Sequence, residues 1–238
     1  MKIAFREEST IDYPGEYGVI LFTPGCNFRC GFCHNAELIG DVDNNIDLDF
    51  ILKEISVRAR GGWYTAVCIS GGEPCLQPGL LSFVEKLKEI GLKVKINTNG
   101  TYPSVLKSLL DAGVDYVAMD IKASPEKYKS IVRVDSFDMA KVEESINLVV
   151  QFPKYDFRTT VLPFYSKEDV VRMGKWVSGI VGGLGGGGEK VKKWVLQQFR
   201  PDAVKDEEYN KMKPTSKEKM EEFGEVLRSY AEEVEVLV

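Results

Sequence analysis

Residues 18–35 read GVILFTPGCNFRCGFCHN: a short β-rich run, then Cys26, Cys30 and Cys33 within eight residues, then His34, the chain's only histidine. Three chemistries share this pattern. Cys30-Gly-Phe-Cys33-His34 is the C-x-x-C-H of covalent haem attachment. Three thiolates and an imidazole make a Cys₃His zinc set. Three thiolates alone hold an iron–sulfur cluster with one iron left open. Everything outward from this stretch bears on which it is.

With 238 residues the chain is long enough for one well-buried core, and we read 1–238 as a single domain. Hydrophobic residues at 44% and charged residues at 28% are ordinary for a globular protein. Thirty-one Lys and Arg against 36 Asp and Glu argue against a nucleic-acid binder, which needs a concentrated basic surface. Glu7, Glu8, Asp12 and Glu16 break up any apolar leader, and no run approaches membrane-spanning length. The expected location is the cytoplasm, with no membrane partner. There, bunched cysteines read as metal-binding or catalytic rather than as disulfides. Haem attachment belongs to exported proteins and leaves Cys26 without a purpose.

Beyond the first strand (18–23), strands are expected at 65–70, 93–98, 115–121, 156–162 and 192–199, with VEVLV closing the chain. Apolar spacing of 3.6 residues predicts helices over 47–60, 78–90, 138–151, 167–180 and 216–231, and one more starting at Pro103. Strands regularly separated by helices give a parallel α/β sheet, open or curled into a barrel. Gly183-x-Gly185-x-x-Gly188 imitates a dinucleotide fingerprint, but it follows a helix and precedes a strand, the reverse of what that chemistry needs. A flexible loop is the better reading.

The unusual polar residues fall just after strand C-termini, where parallel α/β folds gather their chemistry. After the cysteines come Ser70-Gly71-Gly72-Glu73-Pro74, Asn97-Thr98-Asn99-Gly100, Asp120-Ile121-Lys122, Leu162-Pro163 and Gln197-Gln198-Phe199-Arg200-Pro201. Singly, SGGEP and NTNG read as turns, and Asp120 with Lys122 as an ion pair on one strand face. A turn does not call for a carboxylate, however, and Gly71 and Gly72 admit a ligand close to the backbone. Six clusters on one rim describe an active-site mouth. Cys68, in mid-strand, and Cys75 read as structural.

Cys26-x-x-x-Cys30-x-x-Cys33 lets one loop wrap three corners of a cubane, whereas full ligation of [4Fe–4S] takes four cysteines. A zinc tetrahedron would need His34, awkwardly adjacent to Cys33. This cysteine motif after a first strand, with Gly-Gly-Glu after the second, resembles the radical S-adenosylmethionine (SAM) superfamily. STIDYPG (9–15), TPGCNFRCGFCHN (23–35), SGGEP (70–74), NTNG (97–100), MDIK (119–122) and LQQFRP (196–201) resemble its glycyl-radical-enzyme activating type. The match is nearest to activating proteins of anaerobic ribonucleoside-triphosphate reductase, with pyruvate formate-lyase activating enzymes more distant.

The resemblance implies a partial (β/α)₆ TIM-like barrel in which Cys26, Cys30 and Cys33 ligate [4Fe–4S] and the open iron chelates SAM. It implies that Gly71, Gly72 and Glu73 meet the methionine amino group, and that Asn97, Asp120 and Lys122 lie near the methionine and ribose. Some relatives carry an acid in place of Asn97 as part of a cation site, so this departure leaves a bound cation open. Phe28 and Phe32 would shelter the cluster, and His34 would not be a ligand. One electron from a flavodoxin- or ferredoxin-type donor would cleave SAM to methionine and a 5′-deoxyadenosyl radical. No catalytic side chain beyond the cluster and SAM is implied. The implied substrate is a glycine of a glycyl-radical enzyme, anaerobic ribonucleotide reductase above all. The alternatives are a small-molecule radical SAM enzyme resembling carboxydeazaguanine synthase, and a non-catalytic iron–sulfur or zinc-binding protein.

Overall fold

The computed structural model describes residues 1–40, 42, 46–183 and 190–238. Eight strands lie side by side in chain order: β1 (Phe5–Ser9), β2 (Gly18–Thr23), β3 (Ala66–Gly71), β4 (Lys93–Thr98), β5 (Tyr116–Asp120), β6 (Lys154–Val161), β7 (Val191–Gln198) and β8 (Ala231–Leu237). β1 runs antiparallel to β2, and every pairing from β2 to β8 is parallel. The helices are α1 (Leu48–Arg60), α2 (Leu80–Glu89), α3 (Pro103–Asp111), α4 (Pro125–Val132), α5 (Met139–Val149), α6 (Lys167–Gly183), α7 (Glu207–Asn210) and α8 (Lys217–Leu227). Among the described residues β8 does not pair back onto β1. The result is a partial TIM-like barrel with an open side.

Period-two alternation sorts each strand into a helix-facing and an inward side. Val19 and Leu21, Val67 and Ile69, Val94 and Ile96, Val117 and Met119, and Trp194 and Leu196 are buried in one continuous apolar core with the helices. Their alternates turn inward: Ile20 and Phe22, Ser70, Asn97, Ala118 and Asp120, Arg158 and Thr160, and Gln197 all line one cavity. A (β/α)₈ interior is filled by layers of bulky branched side chains. Here Ala118, Ser70 and Asn97 leave it hollow at the top.

The six expected strands are β2–β7, with ends displaced by at most two residues. Two flanking strands, α4 and the four-residue α7 were not expected, although VEVLV, noted as closing the chain, falls largely in β8. β1 (FREES) carries no apolar periodicity because it is an edge strand, held by β2 and by Phe5 stacked on Phe22 at 4.3 Å. β8 (AEEVEVL) lies on the other edge, its Glu233 and Glu235 both meeting Lys193 of β7 at 2.7 and 2.8 Å. α4 has only eight residues, too few for its periodicity to register. Of the glycine fingerprint, Gly183 ends α6, while Gly185 and Gly188 lie outside the described residues.

Candidate active site at the strand ends

A cavity of about 340 Å³ opens at the C-terminal ends of β2–β7. Cys26, Cys30 and Cys33 line it, together with Gly71, Gly72, Glu73, Asn97, Asp120 and Lys122. All nine residues expected at the site therefore face one space. Phe28 and Phe32, 2% and 4% exposed, wall it beside the thiols.

Main-chain hydrogen bonds shape the cysteine loop. The amide of Gly25 donates to Leu38, that of Cys26 to Ile39, and that of Arg29 to Val132 at the end of α4. The Gly71–Glu73 turn docks against it, Gly72 N–H donating to Thr23 and Glu73 N–H to Gly25, both at 2.8 Å. The two glycines are explained by this contact. A Cβ on Gly72 would lie 2.1 Å from the Gly25 carbonyl, and one on Gly71 (φ +120°) 2.3 Å from that of Thr23. The close approach foreseen for a ligand is made here by the chain's own backbone.

Glu73 is wholly buried. Its carboxylate accepts from Thr98 Oγ1 at 2.7 Å, the Asn99 amide at 2.7 Å and the Cys75 amide at 3.0 Å. Burial pushes its carboxyl up, and the hydrogen bonds oppose that. Lys122 meets Asp120 at 2.7 Å and lies over the Phe32 ring. Burial works against its charge, but Asp120 and Cys30 outweigh burial and raise its pKa.

The donor set suits a cluster. Burial pushes the Cys26 thiol up to about 11 and the Cys30 thiol up to about 12, and raises Cys33 as well. Binding to a metal centre would expel the protons of these thiols. Lys122 offsets that negative charge, and the Phe28 amide already donates to Cys26 Sγ at 3.4 Å. Asn97 donates to Ser70 Oγ at 3.2 Å, but its buried Oδ1 has no hydrogen-bond partner, as befits a wall awaiting a polar ligand. Among the described residues no three His, Cys, Asp or Glu side chains converge as one metal ion requires. His34 lines the cavity with Nε2 buried and unpartnered, its pKa lowered by burial and then by Arg200.

Two expected rim clusters play other parts. Leu162 is fully buried and does not line the cavity; β6 contributes Arg158 and Thr160 instead. Gln198 donates to the Thr215 carbonyl at 2.7 Å, so only Gln197 of its cluster faces inward. The sequence reading also missed the barrel's polar floor. Arg158 pairs with buried Asp156 at 2.6 Å, and Asp156 accepts from Tyr116. Beside them Lys95, fully buried, donates to the Asp12 carbonyl at 2.7 Å and sits 4.3 Å from the centre of the Tyr116 ring. The available signal was charge at alternate positions of otherwise apolar strands.

Residues 20–177 match the profile of the Radical SAM superfamily. A Methanocaldococcus jannaschii protein with the provisional name glycyl-radical enzyme activating enzyme is 30% identical over 234 residues, 95% of this chain and 91% of that protein. A Staphylococcus aureus pyruvate formate-lyase-activating enzyme is 28% identical over 72% of each chain. A GTP 3′,8-cyclase of Alkaliphilus oremlandii is 36% identical over 55% of this chain, which spans 42% of the cyclase. In fold, Streptococcus suis SuiB bound to its precursor peptide SuiA matches 91% of this chain with a TM-score of 0.69 at 14% identity, this chain spanning 47% of SuiB. The chain belongs to the radical SAM superfamily, and is an enzyme whose cofactors are a [4Fe–4S] cluster and S-adenosylmethionine.

Proposed function

We propose that this enzyme is an activase that removes a hydrogen atom from a glycine of a partner glycyl-radical enzyme. The observation that carries the reading is a 30% identity to an activating enzyme that extends over nearly the full length of both chains. The partner we propose is anaerobic ribonucleoside-triphosphate reductase, whose activating proteins the six quoted stretches together resemble most nearly. A flavodoxin- or ferredoxin-type protein is the proposed electron donor.

Cys26, Cys30 and Cys33 would hold the cluster, and the Gly71–Glu73 turn, Asn97, Asp120 and Lys122 would hold SAM. When bound, these cofactors supply a one-electron cleavage of SAM and the 5′-deoxyadenosyl radical that takes the hydrogen atom. The chain's own share is placement and exclusion of water. Phe28 and Phe32 keep solvent from the thiols, and Lys122 holds a positive charge beside them.

The cyclase resemblance favours a second reading, a small-molecule substrate such as GTP. The cavity's charges weigh against it. Its lining cations, Lys122 and Arg158, already meet Asp120 and Asp156, and Asp12 adds a further carboxylate. A triphosphate calls for several unpaired cations; an uncharged peptide loop does not. The test is anaerobic incubation of reduced holoenzyme and SAM with a candidate reductase in one arm and GTP in the other. A glycyl radical signal by electron paramagnetic resonance (EPR) supports the activase, and consumption of GTP without that signal supports the cyclase-like reading.

A further inference from the structure

Besides their main-chain contact, the cysteine loop and the Gly71–Glu73 turn are joined by a closed set of hydrogen bonds centred on Asn99. Its amide N–H donates to Glu73 Oε2 at 2.7 Å. Its side-chain Nδ2 donates at 2.8 Å to Oδ1 of Asn27, the residue next to Cys26. Asn27 Nδ2 in turn donates to Thr101 Oγ1 at 2.9 Å. Thr101 closes the ring, its hydroxyl and its amide N–H both donating to Asn99 Oδ1 at 2.6 and 3.1 Å. Glu73, Asn99 and Thr101 are 0%, 5% and 8% exposed, and Asn27 is half-buried. One residue at the end of β4 thus touches both cofactor-holding elements by separate groups: main chain to the Gly71–Glu73 turn, side chain to the cysteine loop.

We propose that Asn99 is a positioning residue that fixes Cys26, and with it the cluster's open corner, against the turn where SAM binds. In the NTNG stretch Asn97 and Asn99 both line the cavity, but the polar groups of Asn99 are committed to Glu73, Asn27 and Thr101. Buried polar networks specify one arrangement when every member is satisfied, and loosen when one member is lost. Removing the Asn99 side chain leaves its main-chain bond to Glu73 and the loop's own main-chain bonds intact but deletes the side-chain tie to Asn27 beside Cys26. Cys26, Cys30 and Cys33 would still hold a cluster, but Cys26 would be less firmly set against the Gly71–Glu73 turn where SAM would bind. This rests on the family's cofactors and is independent of which substrate the enzyme takes.

The experiment uses reconstituted holoenzyme as parent, Asn99→Ala, Asn27→Ala, the double variant, and Thr101→Val, which deletes the bridging hydroxyl at nearly constant volume. Iron and sulfide per chain, the dissociation constant for SAM, and the SAM-induced change in the reduced cluster's EPR spectrum are measured for each. The expected result is parent-like iron and sulfide with SAM binding weakened about 5- to 100-fold, the range a small misplacement produces, and a diminished spectral change. The double variant should bind SAM no worse than the weaker single, because both break one connection. Should Asn99→Ala lose its iron, Thr101→Val carries the same comparison. SAM binding within twofold of parent and an unchanged spectral response in Thr101→Val and in any iron-loaded Asn99→Ala would overturn the proposal. So would effects that multiply in the double variant.

Discussion

Lys95 is an amine enclosed in the barrel floor, and its pKa is pushed down to about 8 by burial first and by the charge of Arg158 second. Cys68, Asp156 and Asp12 lie near enough to pull it back up, without prevailing. Folding therefore weakens its hold on a proton, so between pH 8 and its ordinary 10.5 the unfolded chain carries more protons than the folded one. Stability from this group rises with pH across that window, by at most about 3 kcal/mol. Lys95→Met should remove that rise: the gap in unfolding free energy between parent and variant should move in the parent's favour from pH 7.5 to 10. A gap that stays flat would show that Lys95 is not enclosed as described. A second outcome concerns the cluster. Cys30→Ala should retain well under the parent's iron and form no 5′-deoxyadenosine with dithionite and SAM; activity retained would refute the ligand set. Legibility differs sharply between these residues. The cysteines announce themselves because few other chemistries need three thiols in eight residues. Lys95 and Arg158 were illegible because a charged residue in a strand reads as solvent-facing until the barrel's inner side is known.

At the level of elements, β2–β7 were readable because each is an apolar run bounded by polar turns and followed by a helix. β1 and β8 were not, since an edge strand is stabilised by its neighbour rather than by its own burial pattern. The turns at the strand ends were half readable. Ser70 to Glu73 of SGGEP line the cavity, yet the glycines serve contact between the Gly71–Glu73 turn and the cysteine loop as their first requirement. Gly72→Ala should accordingly cost at least about 3 kcal/mol, as backbone clashes in a packed turn do, and abolish SAM binding in what folds. Gly179 offers the contrast. It is exposed within α6, and a Cβ there meets nothing within 4 Å. Gly179→Ala should raise stability by about 0.5–1 kcal/mol, the ordinary helix-propensity gain, in the same denaturant titration. Equal effects at the two positions would contradict the packing described for the turn.

On the scale of the whole molecule, eight strands that do not close leave a lateral opening beside a hollow interior. The cysteine loop lines the cavity at the strand ends, the Asp12 turn meets Lys95, and under the proposed function the cofactors would face the wall from β2 to β5. Under the proposed function, Arg158, Thr160 and Gln197 on the opposite wall would face the substrate. Both lining cations are neutralised by neighbouring carboxylates, an environment suited to a peptide segment entering from the open side. The central claim is that the atom removed comes from a glycine of another protein. It is tested most directly by giving the reduced holoenzyme SAM and anaerobic ribonucleotide reductase labelled with α-deuterated glycine, then analysing the 5′-deoxyadenosine by mass spectrometry. Deuterium in the 5′-deoxyadenosine, matched by a glycyl radical signal on the reductase, is the outcome this account predicts. Unlabelled 5′-deoxyadenosine with no radical on that reductase, or on any glycyl-radical enzyme supplied in its place, would contradict it.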